Sequence, residues 1–258
     1  MISKLFYFLK VGFYSLLFLL IPIYFIFSIV FNYLYDWEIR DTIFQWKYDY
    51  FHSNPYITNL TELDKVYMSL EKIPYHKLDE DYLTKTKSSE KEYANLLKDL
   101  SYQKIYLSDL NKHIVHSYRI KDFLPREVYY RELLHGKREY IYWNVNKNML
   151  VKLFLLRQKL SFLGYNADGF QIISAYRYPL YNEDVGGARL SRHMRGEALD
   201  IRISDIDNNF ISEQKDKEIV LEILENSIIL NQGGIGKYPG TMTLHFDVRG
   251  YKARWDRQ

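Results

Sequence analysis

From Val11 to Tyr35 the chain carries no charged residue, a run of 25 positions. No other feature narrows its possible folds so far. A helix rising about 1.5 Å per residue over that run outspans a bilayer hydrocarbon core of about 30 Å. Pro22 lies inside the run and is tolerated in a membrane helix better than in a soluble one. Lys4 and Lys10 precede the run, and Asp36 and Glu38 come after it. That asymmetry predicts a single membrane pass, with the N-terminus cytoplasmic and everything after residue 36 outside. Tyr33, Tyr35 and Trp37 would form an aromatic belt at the outer interface. A cleaved signal peptide would show a shorter apolar core ending in small residues. The first alanine is Ala94, so residues 1–36 read as a retained anchor.

Beyond the anchor, the chain has enough apolar residues for a buried core, at 47% of the whole. Thirty-five basic residues face 32 acidic ones, a balance that lacks the concentrated basic surface of a nucleic-acid binder. Cysteine is absent. That excludes a disulfide framework, a thiolate nucleophile and a thiolate-held metal, and leaves His and carboxylates as the only ligands for zinc.

Residues 37–137 read as a mostly helical extension. Leu63 to Leu70 and Tyr93 to Leu110 carry apolar residues at helical spacing, and Ser88-Ser89-Glu90-Lys91 resembles a helix start. His113 and His116, three apart, are expected as an exposed pair on one helix. The extension carries no recognisable chemistry and could serve as a stalk, a packing element or the binding segment for an envelope partner. Residues 138–258 differ in character. Asn146 to Leu163 predicts an amphipathic helix stopped by Gly164. Phe170–Tyr176, Ala198–Ile203 and Leu244–Val248 predict strands, Ser212–Leu230 a helix, and Gly233–Gly236 a turn. The expected class is α+β, a small antiparallel sheet covered by helices.

Three segments of this last region place metal-site residue types in or beside strands. Ser191-Arg-His193-Met-Arg-Gly196-Glu-Ala-Leu-Asp200 puts a histidine on a loop and a carboxylate on the next strand, with Gly196 permitting a tight turn between them. In Leu244-His245-Phe-Asp247, strand alternation directs His245 and Asp247 to one face. Ser174-Ala-Tyr176-Arg177 ends a strand with a cation. Two histidines and one carboxylate are the ligand set of a hydrolytic zinc site. Asp247 offers a second carboxylate for proton transfer, and Arg177 a fixed cation for a developing oxyanion.

Taken in order, these motifs resemble the zinc D,D-peptidase and hedgehog fold family, which includes D-Ala-D-Ala carboxypeptidases, dipeptidases and murein endopeptidases. The likeness spans roughly residues 140–258. It extends to a Gly-Gly-Ile-Gly-x-Tyr-Pro turn at Gly233–Pro239 and to Arg254 and Trp255, features of the compact periplasmic murein endopeptidases. The resemblance implies Zn²⁺ held by His193, Asp200 and His245, with Arg177, Ser191 and Tyr176 binding substrate. It further implies that the substrate is the stem peptide of peptidoglycan, with cleavage of cross-links favoured over D,D- or L,D-carboxypeptidase trimming. Where several branches carry an acidic base, three residues before the last zinc histidine, this chain has Met242. Asp247 is preferred as base with Glu197 as runner-up, and an alternative alignment makes Asp247 the ligand in place of His245. A non-catalytic, zinc-stabilised module that binds wall peptides is the rival from another class.

Overall fold

The computed structural model describes residues 2–52 and 55–256, with side chains of residues 2–13 and 15 outside the described set. The chain divides into two compact units, residues 1–53 with 134–137, and residues 54–133 with 138–258.

The first unit is led by α1 (Ile2–Tyr35) and α2 (Trp37–Phe51). Within α1, Leu16–Tyr35 has a mean hydropathy of 2.2 and none of its length is buried. It is one helix long and apolar enough to cross a membrane. Asp36 separates the two helices and caps the second, its carboxylate accepting the backbone N–H groups of Glu38 and Ile39. The side chains of Lys4 and Lys10, on which the expected orientation rests, lie outside the described set.

The second unit begins with α3 (Leu60–Ser69), β1 (Glu71–Pro74), α4 (Glu80–Lys85), α5 (Lys91–Leu97) and β2 (Ser101–Tyr106). Next come a short hairpin, β3 (His113–Val115) with β4 (Tyr118–Arg119), then α6 (Val128–Leu134) and β5 (Tyr140–Trp143). Helices predominate in residues 37–137, as expected, but four short strands interrupt them. The stretch from Tyr93 to Leu110, expected as one helix, breaks after Leu97 and becomes β2. Ser101-Tyr-Gln-Lys-Ile-Tyr106 is rich in aromatic and β-branched residues, and β2 is flanked by β1 and β5 in a three-stranded antiparallel sheet. His113 and His116 are not a helical pair: His113 is buried on β3, and His116 turns the hairpin with φ 52° while stacking on Phe154.

The same unit continues through α7 (Lys147–Phe162), β6 (Phe170–Ser174), α8 (Pro179–Asp184) and β7 (Ala198–Ile203). It closes with α9 (Gln214–Ile223), β8 (Gly234–Gly236), β9 (Thr243–Asp247) and β10 (Ala253–Trp255). Asn146 caps α7, which buries Leu150, Leu153, Phe154 and Leu160. Gly164, at φ 80°, ends it as expected. The N-cap of α9 is Glu213 rather than Ser212, because Asp216 reaches back to the Glu213 N–H and completes a capping box. The expected turn at Gly233–Gly236 holds a strand, β8. Strand order in the second sheet is β10-β8-β9-β7-β6, antiparallel throughout except for β10 against β8. The fold is α+β.

Tyrosines stitch the two halves of this unit together. The hydroxyls of Tyr82 and Tyr176 lie 2.8 Å apart, and the Tyr82 ring meets Tyr142 and Tyr129 at centroid distances of 4.7 and 5.5 Å. Met194, in the 3-10 turn that carries His193, packs on Tyr93 and Leu97 of α5. Residues 54–133 are therefore part of the body that holds the site.

Candidate metal centre

Strand register builds the site. Across β6, β7, β9 and β8, the residues Ser174, Asp200, His245 and Gly236 are successive partners. Asp200 and His245 therefore stand side by side on neighbouring strands. The third group comes from the 3-10 turn Arg192–Arg195, whose N-cap Ser191 accepts the His193 backbone N–H. Gly196 ends that turn at φ 62°, and a Cβ there would lie 2.3 Å from the Asn144 carbonyl oxygen. Only glycine satisfies both demands, which lets the turn pass close against the segment after β5.

Each histidine is oriented by its other nitrogen. His193 Nδ1 lies 2.6 Å from the Ala175 carbonyl oxygen, so Nδ1 carries the hydrogen and Nε2 offers its lone pair. His245 Nε2 lies 3.3 Å from Asp247 Oδ2; with the hydrogen on Nε2, the Nδ1 lone pair faces Asp200 and His193. His193 Nε2 and His245 Nδ1 lie 3.2 Å apart, and Asp200 Oδ1 stands 3.3 and 2.8 Å from them. Tetrahedral ligands bonded to zinc at about 2.0–2.1 Å are separated by about 3.3 Å. The triangle of donors has the size and chemistry of a zinc site, and all three residues are buried.

Charge follows from these contacts. Burial pushes His193 below the usual histidine range. Burial also opposes the charged form of His245, but its bonds to Asp200 and Asp247 outweigh that and raise it. Asp200 is held well below the carboxylate range despite its burial, because both histidines contact it. Arg177 donates from Nε to Ser174 Oγ at 2.7 Å and pairs through Nη2 with Asp200. Of the expected site residues, His193, Asp200, His245, Arg177 and Ser191 meet in one place.

Three expected roles do not fit the observed contacts. Asp247 has no exposed surface and lies on the far side of the His245 ring from Nδ1. Its oxygens take the Gly234 N–H at 2.9 Å and the Arg249 guanidinium. Despite burial these bonds keep it well below the usual range. A base must face the attacked water, and a metal ligand must face the triangle; Asp247 does neither and fits a support for His245. Tyr176 is buried against Tyr82 and does not line the metal cleft. Glu197 is consumed by Arg192 and Arg195 at 2.9 and 3.1 Å.

Sequence reasoning missed Arg249, the carbonyl of Ala175 and the cleft-lining Tyr238 and Tyr251. The signal for Arg249 was present: two residues beyond Asp247, it repeats the strand spacing with opposite charge. The cleft measures about 450 Å³ and presents Arg177, Arg192, Arg249, Tyr238 and Trp255 around the two histidines. Among the described residues its only fixed cations are arginines, and no carboxylate other than those holding the site faces it.

The buried His193-Asp200-His245 triangle, beside a cationic cleft, could hold a metal ion. Residues 150–233 match the family model for Peptidase M15, so this stretch is similar to that family. That stretch is about a third of the chain; it contains Arg177, His193 and Asp200 and stops before His245 and Asp247. No curated protein and no solved structure matches the chain. The Peptidase M15 match supports a zinc peptidase acting on peptidoglycan-type substrates.

Proposed function

We propose that the protein is a membrane-anchored zinc endopeptidase that cuts peptide cross-links of bacterial peptidoglycan. The observation that carries this reading is the donor triangle of His193, Asp200 and His245 at the floor of an arginine-lined cleft. A zinc ion held there supplies polarisation of the substrate carbonyl and a water of lowered pKa. Arg177 stands beside Asp200, where its guanidinium can steady negative charge developing on the carbonyl oxygen. Arg192 and Arg249 at the rim suit carboxylates of a peptide substrate. Ser191 and the Ala175 carbonyl fix His193, and the Asp247–Arg249 pair fixes His245. Leu16–Tyr35 acts as a single-pass anchor of the inner membrane, with the second unit on the extracytoplasmic side beside its substrate. The partner-binding role considered for 37–137 has less room, since Leu63, Leu97, Tyr102 and Ile105 of that region are buried.

Digestion of purified cross-linked peptidoglycan by the full-length protein in detergent tests the reading, with products resolved by mass spectrometry. Chelator-sensitive conversion of cross-linked dimers to monomers is expected. Loss of only the terminal residue from stem peptides would assign carboxypeptidase action instead, and intact material with bound zinc would favour the binding module.

A further inference from the structure

A second groove, of about 430 Å³, runs along Gln171–Tyr176 and so reaches the strand end from which Arg177 enters the metal cleft. One wall is β6, an edge strand with no neighbour beyond it in the sheet. The facing wall includes Tyr118, Asp122 and Arg126. The Gly169 carbonyl takes the Ser204 N–H just past β7, whereas the Phe170 carbonyl points outward to the Tyr118 hydroxyl at 2.7 Å. Alternation then turns the N–H and C=O of Ile172 outward into the groove. A register irregularity lies between Ile172 and Ser174, and Ile173 is 47% exposed. Arg126 and Asp122, 3.9 Å apart, bring both signs of charge to the same groove.

We propose that this groove binds the second peptide arm of a cross-linked substrate, extended along the outer edge of β6, while the bond to be cut lies in the metal cleft. The inference rests on the peptidase reading and deepens it. An open strand edge recognises an extended main chain through N–H and C=O groups, independently of side chains. The five residues of β6 span about 17 Å at ~3.3 Å each, room for an arm of four or five residues. Continuity with the metal cleft is built from the same strand. The Ser174 hydroxyl accepts from Arg177, and the Ala175 carbonyl accepts from His193. A single stem peptide fills one groove, whereas two joined stems fill both. Arg126 supplies the cation for a carboxylate of the second arm.

Fluorescence anisotropy with labelled peptides and full-length protein in detergent tests this, using one single stem and one cross-linked pair. The pair is expected to bind at least tenfold more tightly than the single stem. Arg126→Glu and Ile172→Pro should each remove that preference and leave single-stem affinity within twofold. Equal affinity of wild type for the two peptides, or an undiminished preference in Arg126→Glu, overturns the proposal. Arg126 is exposed, so its variant decides the matter should Ile172→Pro fail to fold. Hydrolysis is scored separately. Preference for the pair without chelator-sensitive cleavage would sink the peptidase reading and leave the groove standing, and cleavage without preference would do the reverse.

Discussion

His245 Nε2 lies 3.3 Å from Asp247 Oδ2, while Nδ1 of the same ring lies 2.8 Å from Asp200 Oδ1. One histidine therefore bridges two carboxylates, and the proposed centre gives them different duties, Asp200 facing the metal and Asp247 supporting the ring. Asp247→Asn keeps the shape and the Gly234 contact but weakens the hold on the ring. It should weaken zinc binding by about 10–100-fold and leave kcat at saturating zinc within a few-fold. Competition with a zinc-sensitive dye and steady-state rates separate these quantities. A drop in kcat beyond about a hundredfold with unchanged zinc affinity would restore Asp247 as the base.

Arg177 sits between Ser174 and Asp200, at the cleft rather than behind it. Arg177→Ala should lower kcat by about 10²–10³-fold, as expected for removal of one oxyanion-stabilising donor. Zinc stoichiometry should not change. Lysine should recover little, since it lacks the planar fork that reaches both neighbours.

Zinc binding should weaken as pH falls, and the sign comes from His245. The carboxylates raise it above the ordinary histidine value of about 6.5, so metal-free protein holds that proton at higher pH than a free histidine would. Zinc must displace the proton, and each pH unit below the raised value costs about tenfold in affinity. Affinity measured at pH 6 should be several-fold weaker than at pH 8. A flat profile would mean that His245 does not bind the metal.

Leu97 is fully buried and packs against Met194, the neighbour of His193. Leu97→Ala should cost about 2–5 kcal/mol, read from denaturant unfolding. The same packing predicts that a fragment of residues 138–258 fails to fold, because β5 would lose β2 and the tyrosine cluster would lose Tyr82 and Tyr102. A fragment of residues 54–258 should melt cooperatively by circular dichroism, and cooperative melting of the shorter piece would contradict that dependence.

The grouping of the candidate site residues was legible in the sequence because they come from local patterns. His193, Gly196 and Asp200 share one turn and strand, and alternation alone placed His245 and Asp247 on one face. The roles were less legible than the residues. Whether a carboxylate stands before or behind a histidine ring depends on register with β8, where Gly234 makes space: a Cβ there would lie 2.3 Å from Asp247 Oδ2. Tyr176 was misplaced for a related reason, since its partner Tyr82 is distant in sequence. The extension failed most plainly at Ser101–Tyr106. Mixed apolar and charged residues fit either period over so short a run, and long-range pairing with β1 and β5 decided for strand. Tyr82, Tyr102, Tyr142 and Tyr176 join the two halves of the unit through ring contacts that no local pattern shows.

His193, Asp200 and His245 are held to bind one catalytic zinc together, and everything proposed for the cleft depends on it. Zinc titration of chelator-stripped full-length protein, with cross-link cleavage assayed at each addition, tests this most directly. Activity should rise linearly and saturate at one zinc per chain, and His193→Ala should neither bind zinc at that site nor cleave. Full activity in the stripped protein, or tight stoichiometric zinc in His193→Ala, would contradict it.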